Sequence, residues 1–405
     1  MKYLKKFKTN ADYIIFKNSD KYITPNVSLI EGTDEVHYQV NIQPVAVLFE
    51  GMISNRKIKV NERDLMTPGV FNLSDLPDLS VFNTSGTGFE PIKVTFKYVT
   101  EIGESVLSSG RDNVLPLILN FGPNVTSIGE NAFAGSKIVS EIVFDKNSNL
   151  TTIGEGAFKN CMFNTETITT TDGHEFLGMD RLLLPDGITT IGDEAFNGVY
   201  NLDNTYNNTL EVNLPPTVVS IGDRVFKDSG FSYFYIPNSI TTIPDSTFSN
   251  CEAGEMAIIG FHEGIDGGLA ITIGGHTLIR RDLPPGGILI SNEITSIGDF
   301  AFTSFCSDYY FDYLGGQIEQ IGDGILIAMG NGITSIGEGA FTSVPSTQVV
   351  CFAETPPALA ENDDPFPDFS DKGIDRILAI LVPENSVDAY KTAWPHLADY
   401  IVANR

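Results

Sequence analysis

One nine-residue phrase returns along the chain and constrains everything else in it. Residues 333–341 read ITSIGEGAF; 125–133 read VTSIGENAF, 188–196 ITTIGDEAF, 218–226 VVSIGDRVF, 240–248 ITTIPDSTF and 294–302 ITSIGDFAF. A shorter copy at 152–158, TIGEGAF, brings the number to seven. Self-similarity of this kind builds a solenoid, because one unit cannot bury its apolar face until a neighbour stacks on it. Function then belongs to the surface of a stack.

A strand precedes each phrase. Six residues before the central isoleucine stands a strand-ending residue, Pro185, Pro215, Pro237, Ser291, Gly122 or Gly330. The positions one and three before it are apolar each time, as in Leu182 with Leu184, Phe234 with Ile236, and Ile288 with Ile290. Alternation at spacing two marks a strand with one buried face, and one such strand per turn is expected to pair in parallel with the next. In the remaining copy Asp145 takes the place eight residues before Ile153, a two-residue bulge.

Glycine follows the central isoleucine in six of seven copies, which suits positive φ or close approach of the neighbouring turn. Pro244 holds that place once, so positive φ is not required there. Phe133, Phe158, Phe196, Phe226, Phe248, Phe302 and Phe341 are expected to stack through the core, each contributing roughly 1.5–3 kcal/mol of burial. The offsets of Ile333, Ile336, Ala340 and Phe341 fit one face of a helix, so a short helical turn is expected after the glycine.

The strand, the proline and the phrase ΦTxIGxxAFxxC together resemble the BspA-type leucine-rich repeats. Cys161, Cys251 and Cys306 fall at or one residue past the cysteine place of that pattern, and 351–359 (CFAETPPAL) with 380–394 (ILVPENSVDAYKTAW) look like the family's closing segment. The resemblance covers roughly residues 106–405. It implies a β-dominated leucine-rich repeat solenoid, a parallel sheet with short helical turns; the residues before it read on their own pattern as a small N-terminal helix and β region. It implies no particular activity, because an architecture does not fix one.

Residues 1–43 form a segment of their own. Its pattern of a tyrosine-rich start, then PNVS at 25–28, an acidic turn and EVHY at 35–38, resembles the opening of many proteins of Bacteroidales phages and prophages. A leader shared by different bodies implies an attachment tag, for which Tyr13, Phe16, Pro25, Val27, His37 and Tyr38 are the candidate anchor residues. An ordinary helix and hairpin packed on the next domain is the alternative. Residues 44–105, with period-two runs at 45–49, 57–60 and 92–98, read as a small β-domain or an N-terminal cap, 106–350 as the solenoid and 351–405 as a C-terminal cap. Thr100, Ile102 and Gly103 suggest a degraded first turn.

Successive central isoleucines lie 25, 38, 30, 22, 54 and 39 residues apart, so the excess leaves the stack as loops. The largest excess falls between Asn250 and Ile288, where Ile271, Ile273, Leu278 and Ile279 suggest a degenerate turn plus a loop. Residues 317–324 imitate the phrase but stand too close to Ile336 for a full turn.

Charge and composition exclude several classes. A formal net charge of -27 argues against duplex nucleic acid as a partner. No stretch approaches the roughly 18 apolar residues of a spanning helix, so membrane insertion is not expected. The lysine-rich start lacks the apolar region of a secretory signal. No CxxC occurs, and the cysteines read as reduced core residues, with no metal or cofactor expected.

The five histidines are scattered, and no HExxH, GxSxG or P-loop pattern is present. Gly-rich turns at 264–268 and 274–276, Asp203-Asn204 and the acidic pair at 363–364 read as loop chemistry. One feature suits binding: the aromatic runs 231–235 and 309–313, whose Tyr233, Tyr235, Tyr309, Tyr310 and Tyr313 suit stacking on sugars or docking a protein, or packing against an insertion.

The reading that follows is a non-enzymatic binding protein. A phage virion component is expected, anchored by its N-terminus to other virion proteins, present in many copies or as a homo-oligomer, and presenting the solenoid to another virion protein or, for host attachment, to a bacterial surface glycan or protein. The alternative is a bacterial surface adhesin of the same repeat family. A carbohydrate-active enzyme would need a carboxylate pair about 5–10 Å apart in a cleft, which spacing in sequence does not reveal.

Overall fold

The computed structural model describes residues 25–29, 36–40, 45–53, 56–64, 69–72, 91–108, 116–138, 142–163, 168–169, 175–176, 181–201, 210–251, 256–263, 269–279, 287–305, 325–344, 346–360, 365–366 and 379–404. They fall into two compact units, residues 1–179 and 180–405.

In the first unit Pro25–Leu29 and Val36–Val40 form an antiparallel pair, and Val36–Val40 runs parallel to Arg56–Asp64. Arg56–Asp64 is antiparallel to Val45–Ile53, which is antiparallel to Ile92–Phe96. From there the direction settles: Ile92–Phe96, Pro116–Phe121, Lys137–Ile138 and Met162–Phe163 are all parallel. The sheet therefore passes without a break from antiparallel strands into solenoid strands.

The degraded turn at Ile102 is a real one. Val99–Ile102 sets Ile102 against Ile128, and Gly69–Phe71 sets Phe71 against Ile102, so one more turn precedes it that no copy of the phrase announces.

In the second unit nine strands run parallel in one sheet, from Arg181–Leu183 through Glu211–Asn213, Tyr233–Pro237, Met256–Glu263, Gly287–Ile290, Ile325–Met329, Ser346–Cys351 and Ala379–Pro383 to Ile401–Asn404. This is a β-dominated leucine-rich repeat solenoid. The phrases add a second set of parallel contacts, two residues each, that the sequence did not announce: Ile191 faces Ile221, Ile243 faces Ile297, and Ile297 faces Ile336.

The expected helical turn after the glycine is absent from the described copies. The residues two and six places past Gly129 have positive φ, Asn131 at 51° and Gly135 at 74°, and every other copy does the same at both places, for instance Arg224 with Asp228 and Phe300 with Ser304. Left-handed residues break a helix, but they aim backbone groups at the adjacent turn. Asn131, Phe133 and Gly135 donate their N–H groups to the carbonyls of Glu155, Ala157 and Lys159 at 2.8, 2.8 and 2.7 Å. A helix would spend those donors within one turn, so the stack is preferred despite roughly 1–2 kcal/mol of strain per non-glycine left-handed residue.

The glycine beside the isoleucine serves close approach alone. None of these glycines has positive φ, but a Cβ on Gly337 would sit 2.5 Å from the amide nitrogen of Asp299, and one on Gly129 would sit 2.6 Å from the carbonyl oxygen of Ile102. Pro244 is tolerated on the first ground.

The phenylalanine ladder forms as expected. Phe133 stacks on Phe158 at 5.2 Å, and Phe196, Phe226, Phe248, Phe302 and Phe341 follow one another at 5.0–5.8 Å with planes within 14°. The tail extends it: Phe366 stacks on Phe341 at 5.8 Å, and Trp394 follows at 5.8 Å.

Candidate interaction surfaces

Side-chain direction alternates along each long strand, so every strand has a core side and an outer side. On Tyr233–Pro237, Phe234 and Ile236 face the core, which leaves Tyr233 and Tyr235 on the outside. Tyr235 is only 6% exposed, and Tyr233 is half-buried beside it. Of the two expectations for these tyrosines, exposure or packing against an insertion, the burial of Tyr235 matches the second. Tyr309, Tyr310 and Tyr313 lie outside the described residues, as do Tyr13 and Phe16; Pro25, Val27, His37 and Tyr38 lie on the first antiparallel pair.

What covers Tyr235 is the long insertion. The degenerate turn expected at Ile271–Ile279 lies instead at Met256–Glu263, a full strand of the parallel sheet between Tyr233–Pro237 and Gly287–Ile290. Leu269–Ile273 and His276–Ile279 form an antiparallel hairpin, because Gly274 at φ 58° makes a two-residue reversal with Gly275. Ile271 and Ile273 are buried in an outer-side cluster with Tyr235, Met256, Ile258, Leu289, Ala328 and Val350. Burial of two isoleucines is worth roughly 1.5–3 kcal/mol each.

Asn292 fixes the hairpin tip. Its Oδ1 accepts the Gly274 N–H at 2.8 Å, and its Nδ2 donates to the Gly274 carbonyl at 2.9 Å. The ring of Phe352 fills the space beside Gly274, where a Cβ would come within 2.5 Å of it. Eighteen residues separate Asn292 from Gly274, so spacing along the chain carries no signal of this contact.

The phrase side carries two polar ladders. Thr126, Thr151, Thr295 and Thr334 each donate Oγ1 to the carbonyl of Thr100, Thr126, Thr241 and Thr295, at 2.8–3.2 Å. Val219 occupies the same place at 62% exposure. Val219→Thr should therefore add one such bond and raise the unfolding free energy by about 0.5–1.5 kcal/mol, measured by urea denaturation.

The second ladder is acidic. One Oδ1 of Asp193, Asp223, Asp245 and Asp299 accepts the amide of Asp223, Asp245, Asp299 and Glu338 in the next turn, at 2.8–3.2 Å. Among the described residues no three His, Cys, Asp or Glu come together in a way that could hold a metal ion.

Cys161, Cys251 and Cys351 are buried free thiols; Cys306 lies outside the described residues. The cysteine place is more than a small apolar slot. Cys161 and Cys251 donate Sγ–H to the carbonyls of Phe133 and Phe226 at 3.1 and 3.0 Å, and Ser136 does the same to Leu107 at 2.7 Å. Burial pushes the thiols of Cys161 and Cys251 up from 9.0 to about 12.

Neutral thiols are favoured by the fold, so this contribution is complete below pH 9.0 and is lost as pH rises towards about 12. Stability should fall across that window by up to about 1.4 kcal/mol per pH unit and thiol, and a thiol reagent at pH 8 should leave both residues unmodified until denaturant is added. Fluorescence-detected unfolding at stepped pH checks the first expectation, mass spectrometry the second.

Comparison with known proteins agrees with the repeat geometry. Residues 100–253 match the family model of the BspA type leucine rich repeat region in six copies. The described turns continue past that stretch through Ser296–Ile297 and Ser335–Ile336. No curated protein matches the chain in sequence.

Solved structures similar to this one include a leucine-rich repeat protein from Eubacterium ventriosum, at 12% identity over 76% of this chain and 80% of that one, TM-score 0.32. A leucine rich cell surface protein from Faecalibacterium prausnitzii is 18% identical over 95% and 96% of the two chains, TM-score 0.31. The pneumococcal vaccine antigen PcpA is 13% identical over 95% and 98%, TM-score 0.23.

Proposed function

We propose that this leucine-rich repeat solenoid is a non-enzymatic, adhesin-like binding protein that works through the rigid surfaces of its stacked turns. The observation that carries the reading is the match of residues 100–253 to BspA-type repeats, taken with what the repeat's polar side chains do. Threonine hydroxyls, aspartate carboxylates and buried thiols are spent on bonds between turns. A stack held in this way presents its outer side chains in fixed register, and many weak contacts then add.

A cell-surface location fits this reading better than a virion. The virion reading rests on residues 1–43 alone, and neither the family match nor the three structures above carry a phage description. Among the described residues no helix is long and apolar enough to cross a membrane.

Antibody labelling of intact producing cells, set against gradient-purified phage particles, separates the two. Labelling of cells with particles blank is expected. Stoichiometric incorporation into particles would restore the virion reading and make residues 1–43 its anchor.

A further inference from the structure

Six consecutive strands of the second unit turn apolar side chains outward. Tyr233 and Tyr235, Met256 and Ile258, Leu289, Leu326 and Ala328, Val350, and Leu381 occupy alternate positions on them, while the outer places in register with Leu326 on the flanking strands go to Gly287 and Gln348. On the two strands before these the outer places go to Arg181, Leu183, Glu211 and Asn213. A solenoid needs only its core side to be apolar, so this change of face calls for an occupant.

We propose that the 269–279 hairpin is a displaceable cover over a protein-docking face, and that the partner is an extended protein segment with two branched aliphatic side chains at alternate positions. This rests on the reading of the protein as a binding protein. The hairpin itself shows the chemistry of the seat. Ile271 and Ile273 enter the apolar cluster, while Thr272 between them turns to Thr277 Oγ1 and His262 Nε2, each at 3.1 Å.

Asn292 reads only backbone: its side chain bonds the N–H and carbonyl of Gly274 and also accepts the Asn331 N–H of the next turn at 3.0 Å, and its own amide donates to the carbonyl of Thr272 at 3.0 Å. Two alternate aliphatic side chains and a backbone fork are features that any extended segment of that pattern can supply.

The attachment is slight for what it covers. Among the described residues, ladder pairing joins the hairpin to the parallel sheet at two positions, His262 with Ala270 and Glu263 with Leu269. The other contacts named above are side-chain packing and the Asn292 bonds, so the hairpin is a separate opening unit and not a strand of the ladder. The apolar face is also wider than the cover: Tyr233, Phe261, Leu326, Phe352 and Leu381 stay partly exposed around it. A partner that seats in place of the hairpin gains this rim as well.

Two measurements on the full chain test the proposal. Amide hydrogen exchange should show residues 269–279 opening at least tenfold faster than Gly287–Ile290 and Ile325–Met329, and without dependence on denaturant that opens those strands. A fluorescent peptide with the sequence of residues 264–280 should bind the double variant Ile271→Asp, Ile273→Asp at least tenfold more tightly than wild type, and Asn292→Ala added to that variant should weaken it again.

If the double variant does not fold, the exchange measurement stands alone. Hairpin amides that exchange only together with the sheet strands would overturn the proposal, as would a folded double variant with an open hairpin and no peptide binding. Either failure would leave the surface-binding reading intact, since that reading does not depend on which face is used.

Discussion

Phe302→Ala should lower the unfolding free energy by about 3–5 kcal/mol, the range for truncating a fully buried phenylalanine. Its ring is stacked between Phe248 at 5.0 Å and Phe341 at 5.4 Å, with the edge of Phe305 at 6.0 Å, so no neighbour can collapse into the space without leaving its own turn. Guanidinium denaturation followed by circular dichroism gives the value. The control lies two residues away. Phe300 is 39% exposed at φ 54°, a left-handed place where other copies carry Asn131 or Gly339. Phe300→Asn should leave stability unchanged or raise it by up to about 1 kcal/mol, because asparagine accepts that backbone at lower cost.

Trp394→Ala should cost a similar amount, about 3–5 kcal/mol, and its effect should be concentrated at the C-terminal end. Trp394 is 1% exposed, lies 4.8 Å from the ring of Tyr390 and donates Nε1–H to the carbonyl of Pro357 at 3.0 Å. It follows Phe366 on the ladder, so its removal opens the last turns to water. In a stack stabilised by nearest neighbours, loss of an end loosens the adjoining repeats first. Hydrogen exchange should therefore rise in Ser346–Cys351 and Ala379–Pro383 well before Tyr233–Pro237. Uniform exchange along the sheet would mean that Trp394 is not an end cap.

The repeating parts were legible because solenoid burial imposes the same demand on every turn. Central isoleucines, the phenylalanine ladder and the parallel strands that precede a phrase could be placed from the seven copies; Met256–Glu263 and Gly69–Phe71, which precede none, could not. Nor could the local conformation. Asn131, Glu194, Arg224 and Ser246 are left-handed although nothing in their side chains as a set requires it. The bonds that hold them there run to another turn, and the 3.6-residue spacing of the apolar positions pointed to a helix instead.

The outer side was harder still. Alternation in YFY at 233–235 correctly separates Phe234 from Tyr233 and Tyr235, but whether the outer pair meets water depends on a hairpin more than 30 residues on. Asn292 reads as a loop asparagine until Gly274 is placed beside it. The glycine after each isoleucine allowed two explanations, and only the position of Asp299 against Gly337, and its equivalents elsewhere, separates close approach from positive φ.

The most direct test of the binding claim is surface plasmon resonance of the purified full chain over immobilised extracellular-matrix proteins and cell-wall polysaccharides, with mass spectrometry of the immobilised component afterwards. Saturable, reversible binding to at least one surface, with the mass of that component unchanged, is expected. Shortening or other chemical change of the component, or no saturable binding to any of them, would contradict a non-enzymatic binding role.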